Sequence, residues 1–265
     1  MPTSRSRLLR NLAVGTLVGA AVAASSFTPP AAAAGEEPAE RAAAAARGGV
    51  VSVAAIASGK GAAAGVQQIG SGIVWDEEGH IAVPYAPLTR VDRQGTAGPA
   101  QVLVTVQAAD GRSIELPAAV VARDPSHELA VLLVELPVGG AGLLRPLHLA
   151  SSAALRVGQD ALLLAALPGG IPSVAAGVVS AVGRVIPASN NQAIPGVVQT
   201  DAEVNALSLG GALVDSGGRL VGMPVVSYAK PGVFRSSGVN FALPSDLILE
   251  VVPQLIVYHS AQARR

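Results

Sequence analysis

The 265-residue chain contains no cysteine, which excludes disulfide frameworks and thiolate-based zinc or redox chemistry. Charge is scarce at 14% of residues, and the 18 basic and 18 acidic side chains cancel. No basic run is interleaved with aromatics, so nothing marks a nucleic-acid surface. There are four histidines, at positions 80, 127, 148 and 259, none in H-E-x-x-H or paired-ligand spacing, so no metal site is expected. There is no G-x-x-x-x-G-K-[ST] stretch and no strand-linked G-x-G-x-x-G, and Gly169-Gly170 lies between apolar segments with no helix after it. No nucleotide or other cofactor is expected. What the chain does hold is 50% hydrophobic residues, 30 glycines and 19 prolines, far from the polar, charged composition of disorder.

Arg5, Arg7 and Arg10 precede an apolar run from Leu12 to Ala24, and Ala32-Ala33-Ala34 offers small residues of the A-x-A kind. We read residues 1–34 as a cleaved export signal. Thirteen apolar residues are too few to span a hydrocarbon core of about 30 Å, so no integral membrane span is expected after cleavage. Cleavage would remove three basic and no acidic residues and leave a net charge of −3. Residues 35–66 read as an N-terminal extension and lead-in, with a short helix over Gly35 to Arg47 carrying Pro38 in its first turn. Gly59 to Gly65 reads as a surface loop, and the compact fold is expected to begin near Val50.

Beyond Val50 the chain is a series of short aliphatic runs bounded by turn residues. Strands are expected over Ile73 to Asp76, Val102 to Val106, Ile114 to Ala122, Leu129 to Leu136, Ala161 to Ala166, Gly177 to Val182, Val197 to Gln199, Ala212 to Val214, Leu220 to Val226 and Val239 to Ala242. No long amphipathic helix separates them, so the pattern predicts an all-β barrel or sandwich. One short C-terminal helix is expected from Leu247 towards Val252, capped by Ser245 and Asp246 and kinked or stopped by Pro253. Trp75 reads as a core or interface anchor. Asp201 and Glu203 could face one side of a strand, but they read as solvated acids rather than a catalytic pair.

The most informative stretch is Gln199-Thr200-Asp201-Ala202-Glu203-Val204-Asn205-Ala206-Leu207-Ser208-Leu209-Gly210-Gly211-Ala212-Leu213. It resembles the QTDAxINPGNSGGPL active-site segment of the HtrA/DegP (protease Do-like) family of trypsin-fold serine proteases. Other blocks agree in order: Gly70 to Asp76 with Gly79-His80-Ile81, Asp124 to Val131, Leu155 to Gln159, Gly177 to Ser180, and Gly238 to Pro244. The resemblance covers Gly70 to Tyr258 and implies a trypsin/chymotrypsin-like double β-barrel over residues 67–260. The close of the chain, Val252 to Tyr258, is similar to the chloroplast branch of the family that has no PDZ domain, and none is expected here.

A serine protease needs a hydroxyl nucleophile, an imidazole base, a carboxylate that orients it, and amides aimed at the oxyanion. The resemblance places Ala86 at the base position, within Val83-Pro84-Tyr85-Ala86-Pro87, and a methyl group accepts no proton. It places Glu128 at the orienting position, one methylene longer than Asp, and Leu209 at the nucleophile, where an alkyl chain cannot acylate. Leu207 and Ser208 replace the Gly-Asn of the oxyanion loop, which Leu209 completes, and a side chain at that Gly resists the geometry that turns amides inward. Ser208 and His127 each sit one residue from a lost position, and adjacent side chains on extended backbone point apart. The expectation is a pseudoprotease, a regulatory or structural subunit or a binder of unfolded polypeptides in protein quality control. The alternative is an active Deg endopeptidase degrading damaged lumenal or photosystem proteins. The resemblance further implies polypeptide clients, hetero-oligomers with a catalytic Deg subunit, and the chloroplast thylakoid lumen, or secretion to a periplasm as the alternative. Homotrimers in the family often use aromatics ahead of the first barrel, and residues 35–74 contain none.

Overall fold

Strand β6, Leu129–Val134 (LAVLLV), is buried on both faces, whereas side chains alternating at period two would leave one face of a simple sheet wet. A computed structural model explains this; it describes residues 38–46, 48–57, 65–93, 101–108, 110–140, 142–227 and 238–263. Ala130, Leu132 and Val134 face the interior of one barrel, while Leu129 and Val131 join the seam between that barrel and a second.

The first barrel comprises β1 (Val50–Ala57), β2 (Gly65–Val74), β3 (His80–Pro84), β4 (Gln101–Gln107), β5 (Ser113–Asp124) and β6, closed in the order β1-β2-β3-β6-β5-β4. Every neighbouring pair is antiparallel. Its interior is aliphatic, with Val51, Val53, Ile81, Val104 and Leu132 at its centre. The second barrel comprises β7 (Asp160–Leu167), β8 (Ile171–Pro187), β9 (Ala193–Thr200), β10 (Ala212–Val214), β11 (Leu220–Ser227) and β12 (Asn240–Pro244), closed as β10-β11-β12-β9-β8-β7. Leu163, Val179, Val198, Leu213, Val221 and Ala242 fill it. Among the described residues the strands close into two barrels, which leaves them no open sheet edge to template aggregation.

A third apolar cluster is the seam itself. Ile73, Ala82, Leu129 and Val131 of the first barrel meet Leu164, Val197, Met223 and Leu243 of the second. Trp75 is partly buried against it, as an interface anchor should be. Helix α1 (Pro38–Ala45), with Pro38 at its start as expected, buries Ala42 there, as does the next residue after it, Ala46, and the helix lies against β7. The terminal helix buries Ile248, Val251 and Val252 there and lies against β5, β6 and β11.

Several expectations need correction. The lead-in read over 35–66 contains β1, a complete stave of the first barrel ahead of residue 67, in keeping with a fold starting near Val50. Tyr85–Arg93 forms a helix, α2, in a segment read only for its chemistry; Pro87 suits its first turn and Leu88 is its buried contact. The terminal helix α3 is not short: it runs Ser245–Ala263 through Pro253. Proline removes one amide and crowds the carbonyl four residues earlier, here that of Leu249, a residue on the exposed side. Burial of Ile248, Val251 and Val252, with Leu255 and Ile256 beyond the ring, carries the helix across it. Strand β8 extends well past Gly177 to Val182 in both directions. The export signal and residues 59–64 of the surface loop lie outside the described residues.

Candidate functional site

The loop that precedes β10 folds back on one residue. Asn205 accepts at Oδ1 from the amides of Leu207 (2.9 Å) and Ser208 (3.0 Å), and its carbonyl accepts from the amide of Leu209 at 3.2 Å. The Ser208 hydroxyl closes the turn from the other side, accepting from the Asn205 amide at 2.9 Å and donating to the Asn205 carbonyl at 3.2 Å. This is the reciprocal logic of a helix N-cap, applied to a single turn. The amides of 207, 208 and 209 are all consumed inside the loop.

The first barrel clamps that turn. The Ser71 amide donates to the Leu209 carbonyl at 2.8 Å, and the Ser71 hydroxyl donates to the Leu207 carbonyl at 2.9 Å while accepting from the Ala166 amide at 3.1 Å. Gly210 follows in the left-handed region, φ +81, and a Cβ there would stand 2.2 Å from the Ser71 carbonyl oxygen and 2.5 Å from Pro84 Cδ. Only glycine fits so close an approach of two backbones. Leu209 is 9% exposed, and its side chain belongs to the apolar interior of the second barrel with Leu155, Val204 and Leu213.

Ala86 lies in the first turn of α2, where its carbonyl accepts from the Thr89 hydroxyl at 2.8 Å. Glu128 sits just before β6 with φ +56, an uncommon conformation for a residue with a side chain. Its carbonyl accepts from the Tyr85 amide at 3.0 Å, beside Ala86. Its buried carboxylate, in contrast, reaches the second barrel, where Oε1 accepts from the Ser189 amide in the β8–β9 turn. The two residues share an anchor but no side-chain chemistry.

Two of the histidines, His80 and His127, are occupied elsewhere. His127 Nδ1 is 2.6 Å from Asp124 Oδ2, in a turn whose Ser126 and His127 amides donate to Asp124 Oδ1. His80 Nδ1 is 2.6 Å from Asp76 Oδ2 in the β2–β3 turn. Burial alone would raise the Asp76 carboxyl, but the hydrogen bond and charge of His80, with the amides of His80 and Glu78, outweigh it and hold the carboxyl below the usual range. Asp76, Glu78 and His80 are the one group among the described residues whose ligand atoms, all within 4.8 Å of one another, could hold a metal. Asp76 already spends both oxygens on the turn. Asp201 accepts from the Val178 amide at 2.7 Å, and Glu203 is exposed, so no catalytic carboxylate pair forms. Surface cavities of about 540 and 390 Å³ lie at Ser151–Arg219 and at Arg112–Arg145, and neither is lined by Ala86, Glu128 or Leu209.

The sequence resemblance marks the loop but not the residues that shape and dock it, Asn205, Ser71 and Ser189. The signals were faint: a Ser between two glycines, and a Ser-Asn-Asn turn.

Two antiparallel six-stranded barrels, with the loop before β10 pinned under the first of them, define the trypsin-type peptidase fold. Residues 70–223 match the trypsin-like peptidase domain. The chain is 36% identical over 200 residues to protease Do-like 5, chloroplastic, of Arabidopsis thaliana, covering 76% of this chain and 61% of that protein. It is 31% identical over 206 residues to the periplasmic serine endoprotease DegP of Escherichia coli, covering 76% and 39%. Among solved structures, the crystal structure of Deg5 superposes with a TM-score of 0.67 at 33% identity, covering 82% of this chain and 93% of that one. The HtrA-type protease AlgW with a decapeptide gives 0.65 at 26% identity, covering 82% and 67%. The chain belongs to the HtrA/Deg family of trypsin-like peptidases. It spans about three-fifths of the length of Do-like 5 and two-fifths of that of DegP.

Proposed function

We propose that this chain is a non-catalytic HtrA/Deg homologue acting in protein quality control, as a regulatory or structural subunit or as a holder of unfolded polypeptides. The observation that carries the reading is Leu209: at the nucleophile position stands an alkyl chain packed into the second barrel. Three further features support it. Ala86 supplies no base. The amides of 207 and 209, which would form the oxyanion hole, are spent on Asn205. The Ser208 hydroxyl, the nearest substitute nucleophile, is bonded to the Asn205 backbone, and the His80 and His127 rings engage their own aspartates. In this reading the protease-homology unit runs from β1, at Val50, to about residue 260.

The site of action is an exported compartment, the thylakoid lumen or, alternatively, a periplasm. The signal-like segment over 1–34 supports this, as do the chloroplastic and periplasmic names of the relatives. The expected partners are polypeptide clients and a catalytic Deg subunit. Purified protein is expected to resist labelling by a fluorophosphonate probe and to leave casein intact. Cleavage that disappears in Ser208→Ala would establish the active-endopeptidase reading instead. Immunoprecipitation from the native compartment followed by mass spectrometry tests the hetero-oligomer.

A further inference from the structure

Glu128 has a task that orienting an imidazole does not describe, and one that stands apart from the question of proteolysis. The residue is 4% exposed, and a buried carboxylate needs fixed donors to replace water. The donor is the Ser189 amide, at the tip of the β8–β9 turn in the opposite barrel. The neighbouring residue repeats the contact, since Asn190 Nδ2 donates to the Ser126 hydroxyl at 3.1 Å. Ala188 of the turn is also buried in the apolar seam, and the turn is shaped by its own bonds: Ala188 N to Gln192 O at 2.7 Å, Asn191 N to Ala188 O at 2.9 Å, and Asn190 Oδ1 from the Gln192 amide at 3.0 Å. These bonds shape the turn but do not dock it.

The backbone of Glu128 holds a different element. Its carbonyl accepts from Tyr85 N at 3.0 Å, fixing the first turn of α2. A single residue therefore ties α2 through its main chain and the second barrel through its side chain, and it does so in the left-handed region, at φ +56. Residues with a Cβ avoid that region at a cost of roughly 1 kcal/mol or more, and such strain persists only where surrounding contacts fix it. A carboxylate one methylene shorter, on the same backbone, falls short of Ser189 by about 1.5 Å.

We infer that Glu128 is an inter-barrel latch, a positioning residue that couples the β8–β9 turn of the second barrel to the first turn of α2 in the first. Release of the turn is thereby transmitted to the segment carrying Ala86.

Amide hydrogen exchange on the full chain, read by mass spectrometry, tests it. Glu128→Ala and Glu128→Asp should each speed exchange about tenfold over residues 188–192, and also over residues 85–89. Glu128→Gln keeps an acceptor of the same reach and should stay within about twofold of wild type in both segments. If Glu128→Ala fails to fold, Ser189→Pro removes the same amide from the other side and should speed exchange over 85–89 alike. Unchanged exchange over 188–192 in the Ala and Asp variants would overturn the latch. Faster exchange there with none over 85–89 would overturn the coupling, and a Gln variant as fast as Ala would show that the acceptor is not what matters.

Discussion

The hydroxyl of Ser71, in the first barrel, donates to the carbonyl of Leu207, in the second, across 2.9 Å. Because the same oxygen accepts from the Ala166 amide, one side chain joins β2, the end of β7 and the loop before β10. Ser71→Ala removes both bonds and leaves a buried amide without a partner, which costs about 1–3 kcal/mol. Urea unfolding should show the midpoint falling with the slope unchanged.

On the proposed non-catalytic reading, building a cleaving site into this chain should take more than the triad. Leu209→Ser alone is expected to remain unlabelled by a fluorophosphonate, since Ala86 still provides no base. Ala86→His, Glu128→Asp and Leu209→Ser together should stay about 100-fold below the same protein carrying Leu207→Gly as well, because oxyanion donors are worth roughly that factor each. Single-turnover labelling rates check this; equal rates would show that the turn on Asn205 opens without the glycine.

Asp246 sits where α3 starts and docks on residues 151–153. Its Oδ2 accepts from the Ser152 hydroxyl at 2.8 Å, the Ala153 amide at 3.0 Å and the Ser151 hydroxyl at 3.1 Å. Burial opposes ionisation, but these donors outweigh it, and its pKa lies below the ordinary 3.8. The sign follows: a carboxyl with a depressed folded-state pKa adds stability above the unfolded value, and that stability drains away as pH falls through the lower folded one. Asp246→Asn should therefore lower Tm at pH 7, with the gap to wild type shrinking below about pH 4. A gap that does not change with pH would show that the carboxylate's charge plays no part.

Pro253→Ala should raise stability by about 1–3 kcal/mol. The substitution restores an amide in mid-helix and relieves the clash at residue 249, and Pro253 itself is only partly buried. Thermal unfolding would show Tm rising. A fall would mean that a bend at this point is needed for Ile248 and Ile256 to reach the seam together.

Much of this architecture could be read from residues. All ten expected strands have a counterpart, because each is an aliphatic run closed by turn chemistry, and Ala212–Val214 matches to the residue. The misses share a physical cause. β1 hid in small residues, VVSVAAIA, whose hydrophobicity is modest until a barrel closes around it. The passage of α3 through Pro253 is tertiary packing overriding a local rule. Within the site, the identities of Ala86, Glu128 and Leu209 were plain, whereas their partners were not. The bonds from Glu128 to Ser189 and from Ser71 to Leu207 join residues 61 and 136 positions apart, and nothing in local pattern specifies such pairings.

The two terminal helices cross over: α1, ahead of the first barrel, rests on β7 of the second, and α3, after the second, rests on β5 and β6 of the first. In a nascent chain Ile73, Ala82, Leu129 and Val131 therefore form an oily flank that is fully covered only when the second barrel and α3 have followed. Translocation as an unfolded thread, with collapse only on the far side, would spare the chain that exposure.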